Sequence, residues 1–330
     1  MKKEITFFLI VGIFFALSII LNSQMGVIRI SVYDIFFNPQ ETLEKTVFYE
    51  LRLPRILLSL LIGGSLAWSG ALSQGLFRNP IVEPGLIGIT AGAALFAAIA
   101  IVLGSHLSFL NNLFSIVLFS FGGAVAVCLM AFITARTSGK TMINHLLLTG
   151  VAINILCLSG IGILSYIANE SQLRSLSSWN LGSLAGASWS NVNKFLIIFL
   201  MPIFISPFIA KPMNVLLLGE REATHVGLKT EGIKVFLILL ICLSVGSSVA
   251  LVGNIAFVGL FVPHIVRMVI GQDNRTLLFA TYILGASILC LADGICRTIV
   301  QPTEIPVGVV MSFMGAPVFI SLLRRRGNFT

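Results

Sequence analysis

Ten apolar runs, each between 16 and 24 residues long, follow one another along this chain. They leave it few places to fold except inside a lipid bilayer. A helix needs roughly 20 mostly apolar residues to cross the hydrocarbon core, where every backbone N–H and C=O must be satisfied within the segment itself. The runs are 5–21, 55–76, 85–103, 113–135, 145–168, 194–210, 234–252, 255–270, 277–293 and 306–323. The seventh and eighth touch at Gly253, and the eighth is short enough to be re-entrant. With 57% hydrophobic and 10% charged residues among 330, and a mean hydropathy of +1.01, a soluble domain is excluded. The expectation is an all-α polytopic membrane protein of about ten transmembrane helices, forming one domain over residues 1–330.

The net charge of +8 does not indicate nucleic acid, because membrane proteins concentrate Lys and Arg in their cytoplasmic segments. With ten spans both termini share a side. If that side is the cytoplasm, the inner segments hold Lys2, Lys3, Arg78, Arg136, Lys140, Lys211, Arg221, Lys229, Lys234, Arg267, Arg275, Arg324, Arg325 and Arg326. The outer segments hold Arg29, Lys45, Arg52, Arg55, Arg174, Lys194 and Arg297. Fourteen of the 21 basic residues then lie inside, the bias that places both ends in the cytoplasm. Lys2 and Lys3 before an apolar run resemble the start of a signal peptide. The lack of a small-x-small cleavage site before Asn22 makes an uncleaved first span the expectation.

The chemistry-bearing residues form no enzyme site. Cys128, Cys157, Cys242, Cys290 and Cys296 all fall in apolar runs, with no CxxC pair, and read as packing residues. His106, His145, His225 and His264 are scattered, without metal-ligand spacing. No Asp, Glu or Lys falls in the middle of a run, where a charge costs about 2.5–3.5 kcal/mol on insertion scales, so a proton relay is not expected. ARTSGKT, Ala135 to Thr141, ends like a P-loop, but Thr134 stands where that motif needs its first glycine. It reads as a turn between spans four and five, and any nucleotide hydrolysis falls to another chain. Gly63, Ala67, Ala71 and Gly75 place a small residue at every fourth position of the second span, which permits close approach of another helix.

GEREATHVGL, Gly219 to Leu228, sets three consecutive charges, Glu220, Arg221 and Glu222, and then a histidine in the middle of a chain that is otherwise largely apolar. Between Pro212 and Gly227 the sequence predicts two very short helices, Met213 to Leu218 and Glu220 to Val226, each stopped by a glycine. Glu220 and Glu222 suit the first turn of the second, where the helix dipole favours anions. Ala223 and Val226, three apart, give it one apolar face.

Five segments together carry a resemblance. They are RLPR at Arg52 to Arg55, NPIVEPGLIGITAGA at Asn79 to Ala93, LGEREATHVGL at Leu218 to Leu228, GNIAFVGLFVPHIVR at Gly253 to Arg267 and EIPVGVVMSFMGAPVF at Glu304 to Phe319. In this order and spacing they resemble the FecCD-type permeases of ABC importers for iron chelates, haem or vitamin B12. The resemblance implies the type II importer permease fold in the bacterial inner membrane, working as a dimer of two copies or of paralogues. It implies two ATPase subunits and a periplasmic or lipid-anchored substrate-binding protein as partners, with ATP and Mg held by the ATPase and no cofactor on this chain. Gly219, Glu220, Arg221, Glu222, Ala223, His225 and Gly227, in the loop 211–230, would couple to the ATPase. Arg52, Arg55 and Arg297 would receive acidic side chains of the binding protein; Arg297 also stands one turn from Asp293, an alternative partner. Pro263, His264 and Arg267 match the family's PHxxR as structural support. Asn154, Met311 and Met314 are candidate pathway residues. Ferric siderophore is the first expectation for cargo, with haem, cobalamin and molybdate as alternatives. An ion-coupled secondary carrier is the competing reading from another class.

Overall fold

The computed structural model describes residues 2–26, 43–104, 113–301 and 303–326. Every one of the ten apolar runs becomes a helix. In chain order the elements are α1 (Lys2–Gln24), α2 (Leu43–Val47), a π-helical turn (Phe48–Arg52), α3 (Leu53–Leu76), a 3-10 turn (Pro84–Ile87), α4 (Ile89–Leu103) and α5 (Leu113–Thr134). A two-stranded hairpin of β1 (Arg136–Thr137) and β2 (Lys140–Thr141) leads into α6 (Ile143–Ile167) and α7 (Glu170–Leu181). Then come α8 (Trp189–Leu217), α9 (Glu220–His225), α10 (Thr230–Val252), α11 (Val258–Ile270), α12 (Asn274–Cys296) and α13 (Val307–Arg326). Seven helical segments are long and apolar enough to cross a membrane, and α4, α11 and α13 are shorter apolar helices that complete the ten. Arg29 and His106 lie outside the described residues, as do the side chains of Arg324, Arg325 and Arg326.

Two local expectations are corrected. Met213 to Leu217 is no separate helix but the end of α8, which runs through Pro212; only Glu220 to His225 forms a short helix of its own. Its two apolar residues do not share a face: Ala223 is wholly buried and Val226 is 70% exposed. The polar stretch 170–181, outside any apolar run, is the helix α7. It is started by a capping box in which the Asn169 side chain accepts from the Gln172 N–H and Gln172 returns a bond to the Asn169 N–H. The P-loop-like fragment forms the β1–β2 hairpin, with Ser138 and Gly139 both at positive φ, as a two-residue hairpin turn requires.

Contacts divide the described chain into two compact units. The first comprises 1–68, 183–206 and 255–330. In it α3 and α12 approach through the small-residue stripe: a Cβ on Gly63 would stand 2.5 Å from the Gly285 carbonyl oxygen, and one on Gly285 would collide with Ala67. Ile56 and Leu60 of α3 pack with Ala286 and Cys290 of α12, and Phe15 and Ile19 of α1 lie against them. Several buried polar groups find partners within the unit, as the absence of water from a membrane interior favours, while the Thr281 hydroxyl is buried without a hydrogen bond. The Trp68 indole donates to the Ser206 hydroxyl at 2.8 Å, and the Tyr282 hydroxyl donates to the Phe199 carbonyl at 2.9 Å.

The second unit comprises 69–182 and 207–254. Here α4 and α5 meet at Gly92 and Gly123, whose backbones leave no space for a Cβ on either. Gly150 of α6 lies against the Leu86 carbonyl of the 3-10 turn, where a Cβ would stand 2.1 Å from the oxygen. These contacts account for the glycines of the Asn79 to Ala93 segment: Gly88 takes φ +97 to join the 3-10 turn to α4. The five cysteines are free and buried.

Candidate functional site

Each unit carries one cluster of charged residues, set at helix ends. In the first unit the π-helical turn and the start of α3 present Arg52 and Arg55. The last turn of α12 presents Asp293, with Arg297 one turn later. Asp293 is fully buried and is the centre of the cluster. The Arg55 guanidinium clasps it through Nε and Nη2 at 2.9 and 2.8 Å, and Arg55 Nη1 reaches Glu304 at 2.9 Å. Arg297 Nε approaches the other Asp293 oxygen at 3.4 Å, and Arg297 also donates to the Asn22 side-chain and backbone oxygens. Arg52 donates to the Ser23 carbonyl at 2.6 Å. Burial, opposed by Asp293, holds the Arg297 guanidinium below its ordinary value. A cavity of about 340 Å³ opens beside the cluster, lined among others by Gly26, Arg52, Arg55, Arg297 and Glu304. Gly26, at φ +139, passes so near Arg52 that a Cβ there would stand 2.9 Å from Nη2.

The three arginines singled out in the sequence are therefore brought together, and Asp293 proves to be the partner of both Arg55 and Arg297. The sequence offered the Asp293–Arg297 spacing as its one signal. Glu304, Asn22 and Ser23, which complete the set, gave none.

In the second unit α9 is a polar knob. Gly219 and Gly227, at φ +118 and +91, form its two joints, and the Ala223 N–H donates to the Gly219 carbonyl. Arg221, Glu222, Thr224, His225 and Val226 are exposed, and Leu218 beside them is 68% exposed. Glu220 faces the other way: its carboxylate accepts from Lys234 of α10 at 2.9 Å. Lys234 has no exposed surface and also pairs with Glu231 one turn earlier and donates to the Thr141 carbonyl at 2.8 Å. The Thr141 N–H in turn donates to Glu231 at 2.9 Å. Sequence reasoning counted Lys234 only as an inner-side charge; the Glu231–Lys234 spacing of three was the legible hint that they share a face.

Other candidates are dispersed. Asn154 of α6 donates to the Gly85 carbonyl at 3.3 Å and borders a cavity with Thr90, Asn180 and Asn254. In α13, Met314 is 44% exposed but Met311 is wholly buried, so in this conformation Met311 faces its own chain rather than an open path. Pro263 and His264 are buried inside α11 and Arg267 is half-buried in its last turn. Phe257, which starts α11, takes φ +70 against Gly315 of α13, a left-handed conformation that costs a non-glycine residue about 1–2 kcal/mol.

Comparison with known proteins identifies the family of the chain. Residues 9–325 match the FecCD transport family. The chain is 38% identical over 321 residues to the hemin transport system permease protein HmuU of Yersinia pestis, covering 96% of each. It is 36% identical over 328 residues to the vitamin B12 import system permease protein BtuC of Escherichia coli O139:H28, covering 99% of this chain and 97% of that one. Among solved structures, an inward-facing conformation of a metal-chelate type ABC transporter superposes with a TM-score of 0.86 at 30% identity, covering 96% of this chain and 97% of the other.

Proposed function

Because the chain belongs to the FecCD transport family, we propose that it is the membrane-spanning subunit through which an ABC importer moves a metal chelate into the cell. It lies in the bacterial inner membrane with both termini in the cytoplasm, and a second permease copy or a paralogue completes the pathway. Two ATPase subunits drive it and hold the ATP and Mg; this chain hydrolyses nothing. A substrate-binding protein delivers the cargo. Ferric siderophore is the cargo read from the motifs, and hemin and vitamin B12, the cargoes named for HmuU and BtuC, are the alternatives, to be told apart by which one the cognate binding protein retains.

The observation that carries the reading is the knob. A six-residue helix is too short to hold itself in water, yet α9 is anchored by Glu220 and Ala223 and turns Arg221, Glu222, His225 and Val226 outward. Charges around one exposed valine suit a protein contact better than a solvated loop. Exchanging Arg221 and Glu222 (Arg221→Glu with Glu222→Arg) together with Val226→Asp is expected to abolish co-purification of the ATPase while the permease still inserts. Retained co-purification and transport would defeat the assignment.

The arginine cluster supports a second contact. Arg52, Arg55 and Arg297 line an open cavity together with Glu304. We propose that this arginine-lined cavity receives acidic side chains of the binding protein, with Arg55, the arginine that reaches Glu304, as the contact exchanged on docking.

A further inference from the structure

We infer that Lys234 is the positioning residue through which movement of α9 reaches both α10 and the β1–β2 hairpin; this rests on the reading of α9 as the ATPase contact. An ammonium group has three protons to donate. Lys234 has an acceptor for each: Glu220 on α9, Glu231 on its own helix and the Thr141 carbonyl at the end of β2. The three lie 14, 3 and 93 residues away, and they join elements that are otherwise adjacent only in part.

Two features make this a mechanical tie rather than a topological charge. The backbone leaves the helical conformation at both ends of α9, at Gly219 toward α8 and Gly227 toward α10, both at positive φ, so α9 is not a continuous rod with either neighbour. The side-chain links give α9 a direct connection to α10 and the hairpin. They converge on one side chain with 0% exposure, where solvent screening is least and an ion pair keeps most of its strength. The hairpin is gripped at both polar atoms of a single peptide residue: Lys234 donates to the Thr141 carbonyl while Glu231 accepts from the Thr141 N–H. A push on α9 thus displaces Lys234, and with it the first turn of α10 and the connection between α5 and α6.

The test uses the full complex, permease with its ATPase subunits and binding protein, in proteoliposomes. ATPase co-purification, ATP hydrolysis and cargo uptake are measured on the same preparation. With Lys234→Met the ATPase should still co-purify and hydrolyse ATP, while cargo moved per ATP falls about tenfold, within the usual range of coupling between sites. Glu220→Ala, which frees only the knob, should lower the same ratio. A merely structural lysine would instead reduce the amount of inserted permease and leave cargo per ATP untouched. An unchanged ratio in Lys234→Met overturns the inference, as does loss of the ATPase itself in that variant. Should Lys234→Met not insert, an unchanged ratio in Glu220→Ala overturns it equally. Failure of the underlying reading looks different: the Arg221, Glu222 and Val226 changes would then leave the ATPase bound.

Discussion

The two charge clusters are built on opposite plans. In the first unit a buried anion, Asp293, is paired with Arg55 and Arg297, whose side chains are 11% and 7% exposed. In the second a buried cation, Lys234, is held by carboxylates that keep a face to water, the Glu220 and Glu231 side chains being 40% and 33% exposed. That set carries a surplus of one negative charge. The lesson concerns what each arrangement tolerates. Asp293 itself has no surface for water to reach, although its arginines border a cavity, whereas the acids around Lys234 are part exposed and can hydrate when the cation leaves.

The sharpest way to break this contrast is Asp293→Ala, which leaves two buried guanidinium groups facing each other. It is expected to destabilise the permease by about 3–5 kcal/mol, read as a large fall in the thermal transition of detergent-purified protein. Lys234→Met should cost less, about 1–2 kcal/mol, because methionine fills the same space and the carboxylates left behind are a third exposed. Equal losses in the two variants would show that exposure does not distinguish the clusters. Glu304→Gln should have the smallest effect on stability, under about 1 kcal/mol, since its side chain is 39% exposed. It removes one negative charge from the lining of the cavity. Affinity for the substrate-binding protein should therefore rise at low salt and converge on the wild-type value as salt screens the contact. Unaltered affinity at every salt concentration would remove the cluster from docking.

Much of the molecule was legible before any coordinates. The ten runs became ten helices because hydropathy over a bilayer-length window is a local property, and the small-residue stripe of α3 met its partner at Gly285 because close packing in lipid needs small residues. The polar knob was visible as a run of three consecutive charges, though its partition into helices was not: the continuity of α8 through Pro212 and the outward turn of Val226 depend on what lies behind each residue. The helix α7 escaped because it is polar, and its capping box was the signal that would have found it.

The charge pairs show where reading by runs stops. One apolar run begins at Lys234 and another ends at Asp293, so both looked like boundary charges. The helices extend a turn beyond the runs, Thr230–Val252 and Asn274–Cys296, and carry both residues into the interior. What the sequence alone determined was the number of spans, their hydrophilic interruption and the family to which five motifs point, because each is written in contiguous residues. Only the tertiary structure decided which partners the charged side chains find. Arg55 finds Asp293 across 238 residues, Arg297 finds Asn22 across 275 and Lys234 finds Thr141 across 93. An ion pair depends on the meeting of two helix ends in space, a fact that neither segment carries by itself.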